Sequence, residues 1–168
     1  MSTSENLTQS KAVLEMITVA HEFCLFMEKV DAYSQEDILN YFDKIIPLLY
    51  LKGSLLPSIE VSDSSYLERY VTAETWEIIF NEVRNKLKPN DEYWVLESNT
   101  DSEAIKASIA DNLTDIYQDL KDFVILYTKN TQTARENATS ECKLLFENHW
   151  GIRSLNALNA IHQLKYRK

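Results

Sequence analysis

Asp111, Asp115, Asp119 and Asp122 recur at steps of four and three residues along one stretch of chain. At 100° per residue a helix gathers them into an arc of about 80°. Stacked carboxylates at that spacing can hold Mg²⁺ or another hard cation. Leu113, Ile116, Tyr117, Leu120 and Val124 fall around the other side of the same helix. That distribution aims the carboxylates away from the expected core. The expectation is a solvated or partner-facing acidic surface, with a metal site and simple helix capping as the alternatives.

Three histidines, His21, His149 and His162, supply the other candidate chemistry. His21, Cys24 and Glu28 share one face of a first helix, and His149 sits within an apolar stripe. Two histidines and a carboxylate could ligate Zn²⁺ or Fe²⁺ and leave a position open. His21, Glu28, Asp115 and His149 are therefore the candidate metal ligands. No H-E-x-x-H or E-x-x-H pair supports that set, and the competing expectation is a buried histidine bonded to a polar neighbour. Nucleophilic catalysis has no motif: no G-x-S-x-G surrounds a serine, and neither Cys24 nor Cys142 lies in a recognised signature. Both cysteines fall on core stripes, which predicts inert burial.

Near Gly151 the chain offers a third constellation. His149, Arg153 and Asn156 continue a face that is apolar upstream, at Cys142 and Leu145. Buried polar groups left unpaired cost roughly 1–3 kcal/mol each, so something must meet them. The options are an internal ion pair from Arg153 to a carboxylate, a small anion held by Arg153 and His149, or exposure after a helix break at Gly151. Trp76 and Trp150 read as core, whereas Trp94 lies in a loop and stands as a candidate binding residue.

These groups must be carried by helices. Only 2 Gly and 3 Pro occur in 168 residues, where average usage would give about 12 and 8. So few turn-formers exclude an all-β sandwich or barrel, and no glycine-rich phosphate loop is present. Val13, Ile17, Ala20, Cys24 and Met27, with Leu14 and Phe23 beside them, mark a helix from about Glu5 to Val30. Ser34 caps a second helix with Ile38, Phe42, Ile45, Ile46 and Leu49 on its buried face, Pro47 inside it and Gly53 as its C′ residue. Residues 53–72 read as a surface connection with one helical turn near Tyr66–Tyr70. Thr72 caps a third helix bearing Trp76, Ile79, Phe80, Val83 and Leu87, with Pro89 just past its end.

Tyr93 to Leu96 form an apolar loop segment that docks as an extended piece. Thr100 with Glu103 matches a capping box, and Ser108 with Asp111 is a weaker variant. A firm helix is expected from about Ile109 to Tyr127, with 101–107 either extending it or forming a separate turn. From Thr133 to Tyr166 the chain is helical by propensity except at Gly151. Ala138, Cys142, Leu145, Phe146 and His149 share one face, and Leu155, Leu158 and His162 lie nearly opposite. Either the helix breaks at Gly151 or it runs through the centre of the bundle. The expected architecture is all-α: residues 1–168 as a single domain, a mostly antiparallel bundle of five to six helices.

The charge balance is acidic, with 26 Asp+Glu against 17 Lys+Arg, net -9. Arg153, Lys165, Arg167 and Lys168 stand in a terminal stretch without acid, so the rest is more acidic still. Such a surface repels nucleic acid and anionic lipid. The terminal cations complement a helix C-terminus. Met1 to Asn6 lack the basic start of a secretory signal. The longest stretch free of charge, Ser154 to Leu164, is too short to span a bilayer. Two distant cysteines without C-x-x-C suit a reducing compartment, so a cytoplasmic location is expected.

Three segments carry a resemblance: Ala20-His21-Glu22-Phe23-Cys24, Ser108 to Lys121 (SIADNLTDIYQDLK), and His149-Trp150-Gly151 running on to Ala157-Leu158 and Ala160-Ile161-His162, with the Tyr93-Trp94 pair fitting as well. Together they resemble a bacterial family of helical proteins known as a domain of unknown function. The sequence departs from that pattern just after H-W-G, where Ile152-Arg153-Ser154 replaces a more basic or histidine-containing stretch. The resemblance implies an all-helical fold and no established activity.

The resulting functional expectation is a non-catalytic interaction module. It would use an acidic face and a loop aromatic to bind a protein partner or a second copy of itself. Its candidate binding residues are Asp111, Asp115, Asp119, His149, Arg153 and Trp94, and no cofactor is required. The alternative is a metal-dependent hydrolase acting on a phosphorylated or small polar substrate, with a divalent cation held by Asp111, Asp115 and a histidine.

Overall fold

Helix α1 (Lys11–Glu28) opens the fold in a computed structural model that describes residues 7–167. The helix start expected near Glu5, and the Met1–Asn6 segment, lie outside the described residues. Val13, Met16, Ala20, Phe23, Cys24 and Met27 are the buried face of α1. Leu14 is exposed instead, because Met16 takes the place beside the Val13–Ala20 line. A single 3₁₀ turn, Val30–Ala32, leads to α2 (Gln35–Ser54). Ser34 caps α2 by accepting a hydrogen bond from the Asp37 amide, and Ile38, Phe42, Ile46 and Leu49 are buried.

Gly53 does not end α2. It lies within the last turn, buried, and a Cβ there would stand 2.4 Å from the Trp150 ring. Its absent side chain lets the indole press against the helix backbone.

The connection that follows is tied down by buried polar groups. Glu136 accepts from the Ser62 amide and hydroxyl, and Asn137 donates to the Asp63 carbonyl. Its one helical turn falls at Ser64–Tyr66. Thr72 then caps α3 (Ala73–Leu87), accepting from the Thr75 amide. Ile79, Val83 and Leu87 are buried, while the half-buried Trp76 and Phe80 rings stack 5.0 Å apart.

Residues 101–107 neither extend a helix nor form a helical turn. Ile105–Ser108 is a strand, β2, paired antiparallel with β1 (Glu92–Val95) in the register Tyr93↔Ala107 and Trp94↔Lys106. The Thr100–Glu103 capping pattern has no apolar run of helical period behind it, so pairing with Tyr93–Val95 prevails. Asp91 closes the base of the hairpin. Its buried carboxylate accepts from the Ser108 hydroxyl at 2.6 Å and from the Ala110 amide at 2.7 Å. A carboxylate there also suits the positive end of the next helix.

That helix, α4 (Ile109–Tyr127), is the axis of the fold. It packs against α1, α3, α5 (Gln132–Leu145) and α6 (Gly151–Tyr166). Buried residues lie all round it, including Asn112, Thr114, Asp119 and Asp122 beside Leu113, Ile116 and Leu120. Apolar residues from every helix join one contiguous core.

The final helix neither breaks at Gly151 nor continues as plain α. Phe146–Trp150 forms a π-helical turn between α5 and α6. At 100° per residue Ala157 would sit about 100° from Ala138; the extra residue of a wide turn removes that offset. The buried stripe Ala138–Cys142 therefore carries on through Ser154, Ala157 and Ile161. Leu155 and His162, expected on the buried face, are exposed. The buried stripe here is made mostly of small residues, while the larger Leu155 faces outward. The result is an all-helical fold with one two-stranded hairpin. Among the described residues, no helix is long and apolar enough to cross a membrane.

Candidate functional site

A line of charges runs along α4. Arg69, from the α2–α3 connection, meets Asp122 at 2.8 Å and Asp119 at 3.1 Å. The other oxygen of Asp119 lies 2.5 Å from His149 Nδ1. His149 Nε2 stands 3.6 Å from Asp115, which also lies 3.4 Å from Arg153. Arg153 reaches Asp111 at 3.5 Å and donates to the Asn112 side-chain carbonyl at 3.3 Å. Asn112 in turn donates to the Tyr93 hydroxyl, joining the hairpin to the line. Trp76 donates its indole N–H to Asp115 at 3.0 Å.

The acidic stripe is thus not the solvated face that its opposition to Leu113 and Leu120 predicts. Because α4 is surrounded, its polar side is covered by the α2–α3 connection, α3 and the π turn. Asp119 and Asp122 are buried, and only Asp111 keeps substantial exposure. The carboxylates are matched by Arg69, His149 and Arg153 from three other parts of the chain. The internal ion pair allowed for at Arg153 is present.

Local construction explains the placement of His149. The π turn is held by Trp150, whose indole N–H donates to the Cys142 carbonyl at 3.1 Å. A Cβ at Gly151 would come 2.2 Å from the Phe146 carbonyl oxygen, so the wide turn requires glycine at its exit. The widened turn delivers the imidazole to Asp115 and Asp119, which raise its pKa to about 9 despite partial burial. At neutral pH the ring is an imidazolium. Burial, followed by the neighbouring Asp115, raises the Asp111 pKa. Burial also raises Asp122, outweighing the Val71 and Tyr70 amides that donate to it.

Beside this line lies a cleft of about 220 Å³ between the hairpin and helices α4 and α6. Tyr93, Asn112, His149, Arg153 and Asn156 supply its polar wall; Val95, Ile105, Ala107 and Ile152 supply an apolar one. Trp94 points elsewhere, 68% exposed at the hairpin with Lys106 over its ring.

Asp115 and His149 come together, but His21 and Glu28 do not join them. His21 is exposed on α1, and Glu28 pairs with Lys121 at 2.8 Å. Among the described residues, no group of three or more His, Cys, Asp and Glu is placed to hold a metal ion. Cys24 and Cys142 are buried, and burial holds both thiols protonated. Arg69, Asp91 and the Asn112–Tyr93 link have no local sequence signal. Each depends on a contact across the fold.

Fold and site define an all-helical protein with a polar cleft walled by a hairpin. The chain belongs to the family described as domain of unknown function DUF5063, whose profile matches residues 8–167. It is similar to protein BF1032 from Bacteroides fragilis, known from a crystal structure. The two are 34% identical over 96% of this chain and 97% of that one, with a TM-score of 0.88. No curated protein gives a significant match.

Proposed function

We propose that the protein is a non-catalytic interaction module that engages a protein partner through the hairpin end of the bundle. The observation that carries this reading is Trp94. It is 68% exposed, with Leu96 and Ile105 exposed on the same hairpin. Tryptophan is the residue most enriched among interface anchors, and a rigid hairpin presents it at little entropic cost. The carboxylates of α4 support the module from within, since their charge is largely spent on Arg69, His149 and Arg153. The net charge of -9 favours protein over nucleic-acid partners.

A photo-crosslinking residue placed at position 94 tests this in the native host. It should capture one product reproducibly, and a product of twice the chain mass would identify the partner as a second copy. The same residue at the exposed Leu14 of α1 should not give that product. Identical patterns from both positions would sink the proposal.

A further inference from the structure

We propose that the cleft between the hairpin and helices α4 and α6 binds a small organic carboxylate with a short apolar body. The site is independent of any partner at Trp94. Two cations, His149 and Arg153, line the cleft of a protein that is acidic overall, and Glu97 is the one carboxylate among the lining residues. Both cations hold donors that no short acceptor takes. The three acceptors of Arg153 lie at 3.3, 3.4 and 3.5 Å, whereas a charged N–H···O⁻ contact settles at about 2.7–2.9 Å. His149 is fixed through Nδ1 by Asp119, while Nε2 is 3.6 Å from Asp115, beyond hydrogen-bond range.

Asp111, Asp115 and Asp119 orient these cations from α4, and Arg69 carries a further share of the Asp119 charge. A planar carboxylate can take two parallel bonds from a guanidinium. Asp111, Asp115, Asp119 and Glu97 outnumber the two cations, so the ligand must be held by short bonds to the open donors and carry no more than one negative charge; a phosphate dianion would meet twice the repulsion. The apolar lining residues, Val95, Ile105, Ala107 and Ile152, ask for an apolar body on the same molecule. At about 220 Å³ the space is below the roughly 300–1,000 Å³ of drug-sized sites, so the ligand is small.

The test titrates the isotope-labelled full chain with isobutyrate, isovalerate or benzoate, with the matching neutral amides and inorganic phosphate as controls. At least one carboxylate should give saturable amide shifts concentrated at Ala107, Asn112 and residues 148–156. Its amide should give none, and Arg153→Gln should weaken binding about tenfold or more, as expected for loss of a charge-assisted bond. Four results would overturn the assignment: no saturable shift with any carboxylate, equal shifts from the amides, tighter binding of phosphate, or shifts centred elsewhere. The wild-type map decides the matter even if Arg153→Gln does not fold.

Discussion

Asp119 and His149 stand 30 residues apart in the chain and meet at 2.5 Å, carboxylate to Nδ1. Asp119 is 2% exposed and also bonds Arg69. One buried carboxylate thus fastens the α2–α3 connection and the π turn to the central helix.

Asp119→Ala should destabilise the fold by about 1–3 kcal/mol. It removes charge-assisted hydrogen bonds to Arg69 and His149, which stay partly exposed and keep Asp122 and Asp115 as neighbours. Urea unfolding of the variant measures the loss. A change of about 0.5 kcal/mol, normal for a surface site, would mean that the carboxylate is solvated.

The contacts of His149 with Asp115 and Asp119 also set a pH dependence. The folded pKa of about 9 lies above the ordinary 6.5, so the folded state holds the proton more tightly. The stabilisation is complete below about pH 6.5 and is lost as pH rises through 9. Melting temperatures of wild type and His149→Gln should differ most at pH 6 and converge by pH 10. A gap that widens with pH would reverse the sign and refute the assignment.

Asp115→Asn keeps an acceptor for the Trp76 indole but removes the charge that faces His149 and Arg153. The His149 pKa should fall, seen by NMR titration of the ring. Stability should drop by about 1 kcal/mol or less, since both lost ion pairs are longer than a short hydrogen bond and partly exposed. An unmoved His149 titration would show that Asp119 alone sets it.

Gly53→Ala should destabilise, against the usual gain of about 1 kcal/mol for Gly→Ala inside a helix. The new methyl would lie 2.4 Å from the fully buried Trp150 ring, and overpacking costs about 1–3 kcal/mol. Thermal unfolding decides the sign. A more stable variant would mean that the indole moves aside freely.

Trp94→Ala should leave stability within about 0.5 kcal/mol of wild type. The side chain is 68% exposed, so little packing is lost. A large drop would make Trp94 a structural residue rather than a free surface for a partner.

Local patterns made the helices legible. Ser34, Thr72 and Ser108 each cap the helix that their spacing announces. Tyr93–Leu96 reads as extended, as β1 is, but its pairing is not legible, because β2 is four residues long and lies across a loop. The four aspartates share one helix face, as their spacing says, but that face is covered rather than solvated. Helical period says which side chains share a face, but not that a surrounded helix has its polar face covered too. Arg69 carries no local sign of the two aspartates it meets. The phase conflict around Gly151 was visible, but its resolution needed a turn one residue wider than the α period.

That wider turn makes the register of the last helix a matter of a single residue. Deleting one position within Phe146–Trp150 would let the segment relax to uniform α geometry without altering any other side chain. Ala157 would then stand 18 residues past Ala138, five whole turns at 100° per residue, so Ser154, Ala157 and Ile161 would keep their buried face. Straightening the turn with every residue kept would instead swing α6 about 100° around its axis, taking that stripe out of the core and Arg153 away from Asp111 and Asp115. The π turn is a spare residue absorbed in place: a reading-frame-preserving loss of one codon there is the deletion that the gearing of the two half-helices tolerates.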